Sequence, residues 1–303
     1  MFCQTYKNWE LILVDDGSTD YSTDIAQRYV AHYPNKVRYV EHQDHQNRGM
    51  SASRNLGVHH SIGDYIAFLD ADDIWLSHKL ERQLEILETH QEVAAAFSPW
   101  QEWLSCVEND HAPDLVQNLG VEPNSVIQPA QLVPLWLKGD SAIPGHCGSL
   151  WRRRVILHAG GFDDSFRDYY EDLVLLIKVH LEAPVYVGGE CLSKYRQHEG
   201  SSCALMEKSG KDREAKLKFY QWLEDYLRKK NIHEKTIWES LQMQLFPYRR
   251  PTLHRFVQFI LHAKRQWNTL LAGLARKFLP VWAYHWLKTQ WHYRKTSEAL
   301  KSE

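Results

Sequence analysis

The sequence predicts an α/β protein in which a mostly parallel sheet flanked by helices is followed by a mainly helical C-terminal region. Short apolar runs alternate with amphipathic helical segments through the first two thirds of the chain, a pattern typical of parallel sheets with crossover helices. Beyond residue 206 the sequence is helical, aromatic and basic, without strand patterns. We therefore predict two domains, residues 1–205 and 206–303, within the 303 residues.

The composition is that of a globular protein, with 44% hydrophobic and 24% charged residues. The net charge is -2, but from Arg249 onward eleven Lys or Arg face only two acids. Such a basic segment on an acidic body is a clue to location or partners. The five cysteines are scattered, which favours a reducing compartment. No stretch has the roughly eighteen apolar residues that a membrane span requires, so we expect a cytoplasmic protein.

The elements follow from short apolar runs, from helical periodicity and from the Gly, Ser and Asp residues between them. The predicted strands are Trp9–Val14, Val37–Val40, Ile66–Leu69, Ala94–Phe97, Cys147–Trp151, Val185–Val187 and Leu192–Gln197. The predicted helices are Ser22–His32, one that follows Gly49, Ser77–Thr89, Arg153–Ala159 and Leu173–Leu181. Residues 104–130, rich in Pro, Asn and Asp, are predicted to be an irregular loop.

Three carboxylates follow the central run Ile66–Leu69: Asp70, Asp72 and Asp73. Open α/β sheets bind their ligands at the carboxyl ends of strands, so these acids are expected beside a ligand. Crowded carboxylates repel one another unless a cation joins them, and hard divalent cations bind oxygen ligands and phosphates together. An acidic helix N-terminus is the alternative that the residues leave open, and Asp73 is expected to be such a cap.

Five motifs occur in a characteristic order and at characteristic intervals. They are Glu10–Asp20, Ala52–Gly57, Phe68–Asp73, Gly160–Asp163 and Glu171–Asp172. Together they resemble the inverting family 2 glycosyltransferases with the GT-A fold, over residues 4–203. The resemblance implies an enzyme that moves a sugar from a nucleotide-sugar, UDP-linked in our reading, to a hydroxyl of a glycan or glycolipid.

The resemblance also implies a donor site that contains a D-x-D metal motif. Its expected donor-binding residues are Asp15, Asp16, Arg54, Asp70, Asp72 and Arg196. Asp72 and His198 are the expected ligands of Mn²⁺ or Mg²⁺ held by the diphosphate. Three alternatives stay open: a helix-capping turn at Asp15 and Asp16, a salt bridge of Arg54 with a surface acid, and a plain loop histidine at His198.

Asp172 matches the catalytic base of the family, and Glu171 is expected either to assist with the acceptor or to cap a helix. An inverting transfer needs one base for the acceptor proton, because a metal can offset the charge on the departing nucleotide diphosphate. The family setting implies surface polysaccharide or glycolipid assembly at the inner face of a membrane, with no nucleic-acid partner. The alternatives are an inactive binding or scaffold protein and a sugar nucleotidyltransferase. The latter would normally show a Gly-rich, basic loop near its start.

Two segments depart from the family pattern. The family opens with a strand and a helix before the match to Gln4, so we expect an N-terminally shortened catalytic domain. From Phe256 to Trp282, apolar residues recur at helical spacing with basic residues on the other faces. A helix in a membrane interface and a helix packed on the catalytic domain both fit this pattern.

Overall fold

The structure is a computed structural model that describes residues 1–104, 114–167 and 169–266. It forms two compact units, Met1–Phe219 and Tyr220–Glu303. The division falls inside a helix, Asp212–Lys229, one helix later than the domain boundary expected near residue 206. Most of the amphipathic stretch expected up to Trp282 lies outside the described residues.

Eleven strands and ten α-helices lie in the described part of the chain. The strands are β1 Leu11–Asp15, β2 Val37–Glu41, β3 Tyr65–Ile66, β4 Ile74–Trp75, β5 Ala95–Phe97, β6 Trp100–Trp103, β7 Leu115–Gln117, β8 Ser125–Ile127, β9 Ser149–Arg152, β10 Val185–Val187 and β11 Ser193–Arg196. The helices are α1 Ser22–His32, α2 Met50–His60, α3 Lys79–Thr89, α4 Leu132–Lys138, α5 Arg153–His158, α6 Glu171–His180, α7 Ser202–Ser209, α8 Asp212–Lys229, α9 Lys235–Arg249 and α10 Pro251–Gln266.

The described strands form three sheets, ordered β1-β2, β3-β9-β5-β10-β8 and β4-β11-β6-β7. The β1–β2, β5–β10 and β6–β11 pairs are parallel, and the other five pairs are antiparallel. The α/β class is confirmed, but the sheets are mixed rather than mostly parallel. The difference arises because β9 pairs antiparallel with both β3 and β5, and β4 with β11. In addition, β7 and β8, which lie in the segment expected to be irregular, pair antiparallel with β6 and β10.

The core that supports the site lies between α3 and the five-stranded sheet. Leu80 and Leu87 of α3 pack with Val93, Ala96 of β5 and Leu150 of β9, all of them buried. Helix α6 is more deeply enclosed, and its residues from Leu173 to Ile177 are all buried. The start of α6, which carries Glu171 and Asp172, is therefore held firmly by the burial of the residues that follow it.

The second unit contains the C-terminal part of α8 together with α9 and α10. Glu224 of α8, which is 7% exposed, forms ion pairs with Arg228 and with Arg249 of α9. Ile237 and Leu241 of α9 are fully buried. Among the helices described, none combines the length and apolarity needed to cross a membrane.

Candidate active site

Arg54 of α2 joins two acids that are far apart in the sequence. Its Nη2 lies 3.0 Å from Oδ1 of Asp70, which follows β3, and its Nη1 lies 2.6 Å from Oε1 of Glu171, the first residue of α6. The Arg54 side chain is 11% exposed and that of Glu171 is 7% exposed, whereas Asp70 is 45% exposed. The structure thus brings together three predicted site residues, and the pairing of Arg54 is with site acids.

Burial and neighbouring negative charge raise the pKa values of the two carboxyl groups at the start of α6. Burial, assisted by the charge of Asp172, raises the pKa of Glu171 to about 7, although Arg54 opposes the shift. Burial also raises the pKa of Asp172, again against Arg54. For Arg54, burial alone would lower the pKa, but the charges of Asp70 and Glu171 raise it above its ordinary value. A carboxyl group whose pKa lies near neutrality is suited to general base catalysis.

The start of α6 presents Glu171 and Asp172 as a fixed pair. Tyr170, immediately before the helix, has φ of 66°, a left-handed conformation that costs a non-glycine residue about 1–3 kcal/mol. Its ring stacks on Phe219 at 5.1 Å, which stabilises this conformation. Both acids lie in the first turn of α6, where the helix dipole favours negative charge.

His198 and Asp72 meet although they are distant in the sequence. The His198 Nε2 lies 3.0 Å from Oδ2 of Asp72, and both side chains are partly exposed. Arg196 donates from Nε to the Asp72 carbonyl oxygen at 2.8 Å, and its guanidinium lies 4.3 Å from the centre of the Trp103 ring. These contacts fix the segment after β3 against β11.

The donor atoms of Asp72 and His198 are of types that bind metal ions. A carboxylate and an imidazole are ligands that Mn²⁺ accepts. The Asp72 Oδ2 and His198 Nε2 atoms, 3.0 Å apart, are close enough to bind the same ion. Within the described ranges, no group of three or more His, Cys, Asp or Glu side chains could hold a metal ion. A cation at Asp72 and His198 would therefore need its remaining ligands from other groups, such as diphosphate oxygens and water.

Asp15 and Asp16 bind protein groups. Asp15 accepts hydrogen bonds from the Ser18 amide at 2.8 Å, the Thr23 hydroxyl at 2.5 Å and the Tyr39 hydroxyl at 3.0 Å. Burial alone would raise the pKa of Asp15, but these bonds outweigh burial and lower it to about 2. Asp15 thus organises the turn that follows β1, but it does not cap α1, whose N-cap residue Tyr21 has no side-chain capping hydrogen bond.

Asp16 holds the loop before α2. Its carboxylate accepts from the amide of Arg48 at 2.7 Å and from that of Gly49 at 2.9 Å. Gly49 has φ of +88°, and a Cβ there would collide with the Arg167 side chain. Asp15, at the end of β1, and Asp16, directly after it, therefore shape the loops before α1 and α2. Their contact with a nucleotide remains a prediction.

The expected role of Asp73 as a helix cap is wrong. Asp73 precedes β4, whereas α3 begins only at Lys79 with His78 at its N-cap. The Asp73 Oδ1 instead accepts the Arg196 amide at 3.0 Å, and burial raises the pKa of Asp73 to about 6. It anchors the segment that carries Asp72 to β11.

His146, for which we predicted no role, is buried beside aromatic side chains, one of which also contacts Arg54. Its ring packs against Phe68 at 5.3 Å and Phe162 at 5.1 Å, and the Arg54 guanidinium lies 5.7 Å from the same Phe162 ring. Burial, together with the charge of Arg54, holds the pKa of His146 well below its usual range. Neither ring nitrogen has a hydrogen-bond partner within the described part of the chain. No spacing in the sequence indicates this placement, because the contact is made by tertiary packing.

Residues 2–130 match the family described as Glycosyl transferase family 2. Residues 2–130 of the chain are therefore similar to a family 2 glycosyltransferase domain. EpsE of Bacillus subtilis, named as a glycosyltransferase, is 46% identical over 88 residues, which are 29% of this chain and 31% of EpsE. TuaG of the same organism, named as a teichuronic acid biosynthesis glycosyltransferase, is 42% identical over 96 residues, 31% of this chain and 35% of TuaG. The matches thus span about a third of these relatives.

Two solved structures share the fold. TarS 1-349 of S. aureus superposes with a TM-score of 0.55 at 16% identity, covering 85% of this chain and 71% of that one. The mannosyltransferase PcManGT from Pyrobaculum calidifontis, solved in complex with GDP-Man and Mn²⁺, gives a TM-score of 0.54 at 16% identity, covering 95% of this chain and 77% of that one. The GT-A fold expected from the motifs is confirmed.

Proposed function

We propose that this protein is a glycosyltransferase that moves a sugar, with inversion, from a nucleotide-sugar to a hydroxyl of a glycan or glycolipid. The observation that carries the proposal is the cluster around Arg54. It joins Asp70, which lies in the segment after β3, to Glu171, the neighbour of Asp172. Donor-side and acceptor-side motifs thereby meet at one place, as a group transfer between two substrates requires.

Asp172 is proposed to take the proton of the acceptor hydroxyl as that oxygen attacks the anomeric carbon. The raised pKa of Asp172 increases its strength as a base compared with an exposed aspartate. Glu171 is held by Arg54 at 2.6 Å, directly beside the base. In this arrangement Arg54 and Glu171 position and tune Asp172.

The donor is proposed to be UDP-linked and to lie along the acids that follow β1 and β3. Asp15 and Asp16 would contact the uracil and the ribose, Asp70 would lie nearer the ribose, and Arg196 would lie near the diphosphate. Mn²⁺ or Mg²⁺, held by Asp72 and His198, would offset the negative charge of the departing nucleotide diphosphate. TarS in complex with UDP and PcManGT in complex with GDP-Man and Mn²⁺ share the fold, which supports this arrangement.

The proposed setting is the assembly of a surface polysaccharide or glycolipid at the inner face of a membrane. The name of TuaG, which concerns teichuronic acid biosynthesis, supports a polysaccharide product. The protein is proposed to be cytoplasmic and to contact the membrane peripherally through its basic C-terminal region. The eleven basic residues from Arg249 onward support that contact.

Calorimetry of UDP binding with and without Mn²⁺ tests the donor site. We expect Mn²⁺ to strengthen binding, and Asp72→Asn to abolish the metal-dependent part because a neutral amide is a weaker ligand. Asp24→Asn, on the exposed surface of α1, serves as the control and should bind like the natural protein. Unchanged metal dependence in Asp72→Asn would contradict the metal assignment. Absence of any nucleotide binding would favour a scaffold protein.

A further inference from the structure

Helix α10 has one face that packs on the protein and another that does not. On the packed face Val257 is fully buried, and the ring of His254 meets Phe246 of α9 edge-on at 5.9 Å. On the other face three large apolar side chains are exposed. They are Leu253 at 39%, Phe256 at 56% and Phe259 at 68% exposure. We call these three residues the α10 stripe.

The α10 stripe falls within one arc of the helix. At 100° per residue, positions 253, 256 and 259 span about 120° of the helix circumference. Val257 lies outside this arc, on the buried side. Exposed apolar side chains on one face of a folded helix indicate a surface that is covered when the protein functions.

The charge around the stripe is of one sign. The segment from Arg249 to Gln266 contains five Lys or Arg and no Asp or Glu. Arg250 and Arg255 are exposed, and Arg255 lies at the border of the arc. An apolar stripe near two exposed arginines complements a surface in which hydrocarbon lies below negatively charged headgroups, as in an anionic lipid bilayer.

We propose that the α10 stripe rests on an anionic membrane surface, with Leu253, Phe256 and Phe259 entering the boundary between headgroups and acyl chains. The arginines at positions 250 and 255 contact lipid phosphates. The helix is about 24 Å long and lies flat, since one of its faces stays packed on α9. This inference rests on the membrane location proposed above and names the residues and the lipid charge that produce it.

Co-sedimentation of the full chain with lipid vesicles tests the proposal. We expect binding to vesicles of equal parts phosphatidylglycerol and phosphatidylcholine, weak binding to phosphatidylcholine alone, and a loss of binding as salt rises. The double variant Phe256→Ser and Phe259→Ser should partition at least about tenfold less, because two aromatic side chains no longer enter the bilayer. The matched control, Tyr21→Ser and Ile25→Ser, removes two exposed apolar side chains at the N-terminal end of α1 and should bind unchanged.

Charge reversal gives an independent readout. Arg255→Glu should weaken binding to the anionic vesicles by about fivefold or more, whereas Arg28→Glu, on the exposed surface of α1, should not. All variants should unfold at the temperature of the natural protein, because the replaced side chains are exposed.

Three results would overturn the proposal. They are unchanged vesicle binding of the Phe256 and Phe259 double variant, equal loss in the α1 control, and a lowered unfolding temperature of the double variant. The last would mean that the stripe is covered by protein. Because the assay contains no sugar donor, a failure of lipid binding leaves the proposed transfer activity standing. Likewise, a failure of transfer activity leaves the lipid result interpretable.

Discussion

Replacing Arg54 by methionine isolates the charge that holds the acid cluster together. Methionine keeps most of the side-chain volume against Phe162 but leaves Glu171 buried without its partner. Removing one member of a buried ion pair costs about 3–5 kcal/mol of unfolding free energy. The loss of unfolding free energy should depend on pH, because protonation of Glu171 removes its buried, unpaired charge.

The direction of this dependence follows from the pKa of Glu171. Its folded pKa of about 7 lies above the ordinary 4.5, so the folded state binds more protons than the unfolded state between these values. In the natural protein, Glu171 therefore lowers stability as pH rises from 4.5 through about 7. The 2.5-unit difference (7 - 4.5) corresponds to about 3 kcal/mol. Without Arg54 the folded pKa rises further, so the additional loss in Arg54→Met should be smallest below pH 7 and grow above it.

Urea unfolding followed by tryptophan fluorescence, on either side of neutral pH, measures this effect. Arg153→Met is the matched control, because Arg153 bonds Ser61 Oγ at 3.0 Å and makes no contact with the acid cluster. Adding Glu171→Gln to Arg54→Met removes the stranded charge and should recover much of the loss. An equal loss below and above neutrality, or no recovery in the double variant, would refute the account of the cluster.

Three further predictions concern separate parts of the fold. Lys79 is fully buried, and burial lowers its pKa to about 7. The unfolded state therefore binds more protons than the folded state between pH 7 and 10.5, so the free energy of unfolding should rise with pH in this range. Lys79→Met should remove that rise in urea unfolding measured at a series of pH values. Gly49→Ala should cost more unfolding free energy than Gly160→Ala: both have positive φ, but only the Cβ at Gly49 meets Arg167. Equal costs would contradict the packing described there. His198→Ala should weaken Mn²⁺-dependent UDP binding at least about tenfold and leave metal-free binding intact, and calorimetry showing unchanged metal dependence would remove His198 from the metal site.

Elements with strong local signals could be predicted from the sequence. Helix α1 has the predicted bounds Ser22–His32, and β10 the predicted bounds Val185–Val187. Strands β4, β7 and β8 have only two or three residues each and, unlike the equally short β10, were not expected as strands. Their pairing is decided by tertiary contacts, which is why the mixed character of the sheets was missed.

The sequence motifs indicate which residues belong to the candidate site, but not which of them contact one another. Arg54 and Glu171 are 117 residues apart, and only the folded chain shows that they form an ion pair. Lys79 was missed for a related reason, since its position at the start of an amphipathic helix indicates exposure. In the structure its ammonium group is enclosed by Gln83 at 2.7 Å and by the Trp75 ring at 4.2 Å. Burial of a polar side chain depends on such partners, which the local sequence does not reveal.

The role proposed for Asp172 is that of the base in a sugar transfer. The most direct measurement is the release of nucleotide diphosphate from a panel of nucleotide-sugars, with Mn²⁺ and an acceptor glycan. It compares the natural protein with Asp172→Asn, and donor binding is measured in parallel. We expect turnover by the natural protein and full activity in Asp24→Asn. In Asp172→Asn we expect the turnover rate to fall by about a hundredfold or more, with donor binding nearly unchanged. Retention of most turnover in Asp172→Asn, or no turnover with any donor that the natural protein binds, would contradict this role.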